Sequence, residues 1–291
     1  MTAPLDLEHM RSWIGRSESY QERIPVVTIH GMRALFDRTD APKEGDPLEP
    51  MEQRTLFTPR APQSQIGADG HPKRGDFMPP VPLPRRMAAG NTATFMAPLR
   101  IGEVARKVSS IHEVTMKEGR TGVLVFCTVR HHFFNEADTL CIEEDQNLVY
   151  RDNPPADAKD SRGNSGKTPP APTDHAWIKQ HHPDPVMLFR YSSVTFNGHR
   201  IHYDRRYAIE EEGYPGLVVH GPLTATLMLH AAMASNPDRK VARFEYQARS
   251  PVFDVAPFHV AGKPVDGGAA AEVWSVTPEG NLGTVGRIVW G

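Results

Sequence analysis

The chain has 291 residues, a formal net charge of −2 and 23% charged residues. This length exceeds what one hydrophobic core usually supports, so we expect two packed units. The charge predicts no nucleic-acid partner, because no global basic field would attract one. No apolar run approaches the ~18 residues that span a bilayer, and residues 1–10 lack a signal-peptide pattern, so no membrane partner is expected either.

The first predicted element is a helix over residues 5–15, where Leu7, Met10 and Ile14 recur at helical spacing. A proline-rich stretch at 79–86 follows, and its stiffness predicts a fixed wall instead of a flexible tether. Residues 153–174 are rich in Pro, Gly, Asp, Lys and Ser and nearly lack apolar side chains, which predicts a linker. We therefore expect a first domain at 1–152 and a second at 175–291.

The two domains show the same order of β-strand signals. Pro98 and Pro251 each stand near the head of a β-rich run, residues 123–129 resemble residues 271–277, and each domain closes on an apolar run with an aromatic end. These β-branched, partly alternating runs predict antiparallel strands, and their shared order predicts a structural repeat. The alternative is that two unrelated β regions look alike at this level.

The clearest helix is predicted in the second domain, over residues 221–234, with Pro222 in its first turn. It is apolar on nearly every side, so it should be buried. A buried helix followed by antiparallel strands is the arrangement of a hot-dog domain, which makes the chain an α+β protein. Residues 187–195 are predicted as a strand and 205–212 as a short helix, whereas the first domain has no equally clear central helix.

The densest polar cluster spans residues 196–204 and contains His199 and His202, three positions apart. One helical turn would bring both imidazoles to the same side. His220 and Gly221 open the buried helix, where a helix N-terminus presents unpaired N–H groups. The N–H of Gly221 is therefore a candidate donor to a thioester oxygen on which negative charge develops.

Four segments resemble the MaoC-like hydroxyacyl-thioester dehydratase type 2 family, the branch that includes mesaconyl-C4-CoA and itaconyl-CoA hydratases. They are Trp-Ile-Gly-Arg at 13–16, the long loop with Asp-Gly-His-Pro at 69–72, and the runs at 197–204 and 214–221. The resemblance covers nearly the whole chain apart from the linker. It implies a double hot-dog fold, in which two antiparallel sheets each wrap around a helix and the N-terminal hot dog is degenerate and lines an acyl-CoA tunnel.

The resemblance also implies catalytic residues. His202 matches the family's histidine, Gly221 its oxyanion glycine and Asp204 its trailing acidic residue, whereas Asn197 stands where the family has aspartate. A carboxamide does not accept a proton at neutral pH, so Asn197 is expected to orient the attacking water or to stiffen the turn. The proton donor is then either protonated His202 or His199, and Asp204 orients an imidazole or caps the next helix.

The predicted substrate-binding residues are Arg85, Arg86, Asp204, Val219 and His220. For the two arginines, which we expect to contact CoA phosphates, ordinary solvated charge is the alternative. No metal is expected, because the spacing of His199, His202 and Asp204 lacks a dependable third ligand. No cofactor is expected either, since CoA is part of the substrate.

The family relationship implies a hydro-lyase that interconverts an enoyl-CoA and a 3-hydroxyacyl-CoA. Thioester hydrolysis and non-catalytic acyl-CoA binding are the alternatives, because the fold alone does not decide among them. Small or polar side chains at 51–55 and 88–91, where relatives carry tryptophans, indicate an acyl pocket of different size. A homodimer is expected because hot-dog sheets tend to pair edge to edge; the alternative is that the two halves of one chain satisfy this pairing. A cytoplasmic location is expected because Cys127 and Cys141 are too few for a disulfide framework.

Overall fold

The computed structural model describes residues 5–119, 122–152 and 168–291, so the predicted linker lies outside the described residues except for its end. The helices are α1 (Leu7–Arg11), α2 (Val26–Leu35), α3 (Pro185–Thr195) and α4 (Gly221–Ser235). The strands are β1 (Ser17–Arg23), β2 (Arg85–Phe95), β3 (Val104–Gly119), β4 (Gly122–Phe134), β5 (Leu140–Arg151), β6 (Trp177–His181), β7 (Val241–Ala248), β8 (Phe258–Val265), β9 (Ala270–Val276) and β10 (Leu282–Trp290).

The strands form one antiparallel sheet in the order β1-β3-β4-β5-β2-β7-β10-β9-β8-β6. Strands β1 to β5 and strands β6 to β10 therefore follow the same path, and the two copies meet where β2 pairs with β7. At this junction Gly90 pairs with Gln247, and any side chain on Gly90 would overlap the Tyr246 carbonyl. The shared strand order confirms the predicted repeat, and the pairing between its two halves is satisfied within a single chain.

Helix α4 forms the core of the second half. Its side chains Leu223, Leu227 and Met228 are buried and belong to one cluster with Phe244 of β7 and Ile288 of β10. The helix is apolar all round because β8, β9 and β10 pack against it and further buried side chains of α2 and α3 complete the same cluster. The predicted buried helix is confirmed, and its length matches the prediction within one residue.

In the first half, the proline-rich segment packs on the sheet where the second half has α4. Val81 and Leu83 are buried in a cluster with Val125 and Tyr150. The Arg74 guanidinium donates hydrogen bonds to three carbonyls of this segment, those of Val81, Leu83 and Pro84. A segment pinned in this way is the fixed wall that the sequence predicted, and it explains why the N-terminal hot dog is degenerate.

The strand predicted at 187–195 is wrong, because these residues form α3. Asp184 caps the helix by accepting a hydrogen bond from the N–H of Met187 at 2.8 Å, and Pro185 occupies the first turn. The buried side chains Leu188, Tyr191 and Ser192 follow helical spacing. The β-branched and aromatic composition suggested a strand, but the capping signal and the 3–4 spacing decided the structure.

The other local predictions hold. The helix predicted at 5–15 is present as the shorter α1, and the one predicted at 205–212 as a helical turn with a π-type segment, Tyr207–Glu211. Cys127 and Cys141 are both buried and free. Within the described ranges, none of the helices combines the length and hydropathy that a bilayer crossing requires.

Candidate active site

His202 lies at the end of a short 3₁₀ turn, Arg200–His202, that follows α3. Its ring is buried, and Nδ1 lies 2.7 Å from the carbonyl oxygen of Val218. A carbonyl only accepts, so Nδ1 carries the proton and Nε2 keeps a lone pair. Burial lowers the pKa of His202 to about 4, although the bond to Val218 opposes this shift. At neutral pH the side chain is therefore a neutral imidazole with a free basic nitrogen.

The start of α4 lies directly beside His202. His220, the N-cap residue of α4, stacks on His202 with ring centroids 3.7 Å apart and planes at 19°. Nε2 of His220 lies 2.9 Å from the Ser192 hydroxyl, which ties this ring to α3. Gly221 is the next residue, and a Cβ atom placed on it would have no neighbouring atom within 4 Å. The structure thus brings the predicted base and the predicted oxyanion donor to one place, with open space at Gly221.

His199 and Asn197 belong to the same loop. The rings of His199 and His202 meet edge to face, with centroids 5.4 Å apart. The Asn197 Oδ1 atom accepts a hydrogen bond from the N–H of His199 at 3.0 Å. Of the two roles expected for Asn197, the structure therefore shows the stiffening of the turn. Burial, together with the neighbouring His71, lowers the pKa of His199 far below its usual value, so this ring is also neutral.

Three predicted substrate-binding residues are engaged in scaffold contacts. Asp204 accepts a hydrogen bond from the N–H of Tyr207 at 3.0 Å and pairs with Arg200 at 2.7 Å, so it caps the helical turn that follows. The side chain of Arg85 is 9% exposed and lies 3.1 Å from Glu212 Oε2. The N–H of Val219 donates to the carbonyl of Val252 at 2.8 Å. Their contacts to substrate stay predictions.

Arg86 differs from Arg85 in its surroundings, because its charge acts on the site itself. It is a charged neighbour of both His71 and His199, and it disfavours the protonated form of each ring. Arg86 is the second residue of β2 and is half-buried. Of the two arginines, Arg86 is therefore the one whose charge acts on the imidazoles.

Two residues of the long loop, Asp69 and His71, join the site, although their pattern in the sequence predicted no catalytic role. The ring of His71 lies 4.2 Å from that of His199, centroid to centroid. Asp69 accepts hydrogen bonds from Nδ1 and from the backbone N–H of His71, both at 3.0 Å. The only signal was the Asp-Gly-His-Pro motif at 69–72, which lies more than a hundred residues before His199 in the chain.

Asp69, His71 and His199 are also close enough to share a metal ion, since one donor atom of each lies within 4.8 Å of the others. Two of these residues already bond to each other, because Asp69 Oδ2 accepts from His71 Nδ1. That bond by itself accounts for the closeness of Asp69 and His71. We therefore interpret the group as a hydrogen-bonded pair beside a third imidazole, and the absence of a metal requirement stays a prediction.

Comparison with known proteins places these residues in a family. A family model described as hydroxyacyl-thioester dehydratase type 2 matches residues 52–254. Mesaconyl-C(4)-CoA hydratase from Chloroflexus aurantiacus is 44% identical over 261 residues, which cover 87% of this chain and 88% of that protein. The chain belongs to the hydroxyacyl-thioester dehydratase type 2 family. It is accordingly an enzyme, a carbon–oxygen lyase, and neither the thioesterase nor the non-catalytic alternative is favoured.

Solved structures agree with the family on the fold. A MaoC-like dehydratase from Phytophthora capsici superimposes with a TM-score of 0.67 at 13% identity, covering 99% of this chain and 98% of that one. A Mycobacterium tuberculosis protein described as a double hot dog gives a TM-score of 0.56 at 11% identity, covering 96% of each chain. Together with the duplicated strand order, these likenesses confirm the double hot-dog fold predicted for this member of the family.

Proposed function

We propose that this enzyme catalyses the reversible hydration of a short, branched or dicarboxylic enoyl-CoA to the corresponding 3-hydroxyacyl-CoA. The relative named mesaconyl-C(4)-CoA hydratase supports this substrate class, because its identity of 44% extends over most of both chains. The observation that carries the proposal is the free Nε2 of a neutral His202 beside the first N–H of α4. That pair supplies a base and an oxyanion donor to one acyl thioester.

The reaction needs three coordinated events. Nε2 of His202 takes a proton from water, and the water oxygen forms a bond to Cβ of the enoyl group. The π electrons move towards the thioester and place negative charge on its oxygen, which accepts a hydrogen bond from the N–H of Gly221. Cα then takes a proton from a protonated imidazole, which is either that of His202 or that of His199. The thioester bond stays intact throughout.

The remaining residues support this chemistry in our proposal. Asn197 holds the loop turn through its bond to His199 and retains a second lone pair on Oδ1 that can accept from the attacking water. The ring of His220 stacks on the ring of His202 and covers one of its faces. Arg85 is held by Glu212, so of the two arginines Arg86 is the remaining candidate for an anionic group of the substrate.

The direct test is turnover of a panel of enoyl-CoAs that includes mesaconyl-C4-CoA, itaconyl-CoA and the unbranched crotonyl-CoA. We expect the ultraviolet absorbance of the conjugated enoyl thioester to fall with a branched dicarboxylic substrate, faster than with crotonyl-CoA. Free thiol should stay constant, because hydration leaves the thioester whole. Thiol release at the rate of absorbance loss would instead establish a hydrolase, and no turnover on any substrate would refute the proposal.

The oxyanion role predicts opposite outcomes for two substitutions at Gly221. Gly221→Pro removes the N–H, and His220 already has the extended backbone that precedes proline, with ψ at 130°. We expect kcat to fall by roughly 10²- to 10³-fold, equivalent to about 3 kcal/mol in barrier height. Gly221→Ala keeps the N–H and its methyl group meets no protein atom within 4 Å, so its kcat should fall less than that of Gly221→Pro. Equal kcat values for the two variants would contradict the assignment.

A cytoplasmic homodimer without a cofactor completes the proposal. Two free, buried cysteines support a reducing compartment. The edge strands β1 and β6 end the sheet on its two sides and offer the backbone groups that a second copy would pair with. Light scattering on purified protein should give twice the mass of one chain, and a monomer mass would remove the dimer from the proposal.

A further inference from the structure

The long loop of the first half is locked onto the catalytic loop of the second half. The N–H of Arg200 donates to the carbonyl of Asp69 at 3.0 Å, and the Arg200 guanidinium donates to the carbonyl of Ala68 at 3.0 Å. Gly70 has a φ of +90°, and a side chain on it would collide with the carbonyl of Gly198. Such close backbone contact fixes Asp69 and His71 relative to the histidines. The positions of Asp69 and His71 in the site therefore depend on contacts between the two halves.

The imidazoles form a continuous row from this loop to α4. The centroid distances are 4.2 Å from His71 to His199, 5.4 Å from His199 to His202, and 3.7 Å from His202 to His220. Asp69 is the carboxylate at the outer end, and the side chain of His71 is 22% exposed. The row thus runs from a carboxylate near solvent to the buried base.

The chemistry of His202 leaves a role for such a carboxylate. The protonated ring of His202 would be a buried cation whose Nδ1 faces the neutral Val218 carbonyl. Asn197 carries no charge that would stabilise this cation. Asp69, in contrast, already bonds to Nδ1 of His71, so an imidazolium at His71 would face a carboxylate. A proton is therefore better accommodated at His71 than at His202.

We propose that Asp69 and His71 form a second acid–base pair that stores the proton of the hydration reaction and exchanges it with His202 through His199. This inference rests on the proposed hydratase function. In the forward direction the water O–H bond breaks, its oxygen bonds to Cβ, and its proton passes from His202 through His199 to His71. The proton returns by the same route to His202 and forms the new Cα–H bond, so the reaction consumes no other reagent.

The charged groups around His71 set the expected pH behaviour. They are Asp69 and Arg74 on its own loop, Arg86 at the end of the proline-rich segment, and His199 on the catalytic loop. Burial lowers the pKa of His71, while the bond to Asp69 raises it. Removing the carboxylate should therefore lower this pKa further, so the acid limb of the pH–rate profile should move to lower pH.

The test compares Asp69→Asn and His71→Gln with His132→Gln, measuring kcat, KM and the pH dependence of kcat/KM for enoyl-CoA hydration. His132 is a matched control because its Nε2 lies 2.9 Å from Glu143 in a histidine–carboxylate pair on the strands of the first half. We expect kcat to fall 10- to 100-fold for both site variants, with KM changed less than threefold. The acid limb of Asp69→Asn should move down by about 1 pH unit. His132→Gln should match wild type.

A second comparison covers the case in which these variants fold poorly. Gly70→Ala should separate the two loops and reduce kcat, since its methyl group meets the Gly198 carbonyl. Gly75→Ala, in the same loop, has a φ of +106° but meets no atom within 4 Å, so it bears similar backbone strain and should retain kcat. Equal kcat values for the two alanine variants would overturn the proposal.

The outcomes separate this inference from the proposed function. If the wild type hydrates no enoyl-CoA, the proposed function fails and the relay with it. If the wild type is active and His202→Ala is inactive, but Asp69→Asn and His71→Gln match His132→Gln in kcat and pH profile, only the relay is overturned. Stoichiometric metal that is lost in His71→Gln, with wild-type activity depending on that metal, would also overturn it in favour of a metal site.

Discussion

Replacing His202 by alanine should lower kcat/KM for hydration on the order of 10³-fold, because it removes the imidazole to which we assign the proton transfer from water, beside the start of α4. Lost basicity, and not lost packing, is the expected cause. His202→Gln tests this distinction, since glutamine restores most of the buried volume and can still donate to Val218 but cannot take a proton at neutral pH. Both variants should be equally inactive.

Activity and folding are both measured for each variant and for a control variant. His30→Ala changes an exposed imidazole on α2, so it should match wild type in both measurements. Circular dichroism and the thermal midpoint should show that His202→Gln remains folded. Undiminished hydration by the folded glutamine variant would refute the assignment of His202 as the base, and with it the mechanism built on Gly221.

Acidification should destabilise the protein steeply between about pH 6.5 and pH 4, since several imidazoles are buried in their neutral form. Burial lowers the pKa of His202 and of His230 to about 4, and that of His220 well below its usual value. In the unfolded chain these rings take up protons near pH 6.5. The unfolded state therefore binds more protons over this interval, so the free energy of unfolding falls as the pH falls. Each ring that stays neutral contributes roughly 1.4 kcal/mol per pH unit.

Urea unfolding at pH 7.5, 6.0 and 5.0 measures this effect as the slope of the free energy of unfolding against pH. His230→Gln removes one of the titrating rings, which packs against Phe36 at 4.6 Å, and should reduce the slope by roughly 1.4 kcal/mol per pH unit. His30→Gln changes an exposed ring and should leave the slope unchanged. A free energy of unfolding that is constant from pH 7.5 to 5.0 would contradict the prediction.

The sequence alone determined the features that depend on local pattern. Helix α4 is apolar on every face, so its burial could be predicted without knowing its partners. The repeat was visible because equivalent strands carry similar apolar runs, and His202 and Gly221 were found because both lie in short motifs with a defined spacing. The fold and the centre of the candidate site followed from these patterns.

The tertiary structure decided what depends on distant segments. Composition favoured a strand at 187–195, whereas the Asp184 cap and the burial of Leu188 and Tyr191 make it a helix. Likewise, Glu212 neutralises Arg85, and Asp69 and His71 reach His199 only because Gly70 lets two backbones meet. Local propensity carries no information about such long-range packing, so the sequence could point to the proposed base, His202, but not to the carboxylate of Asp69.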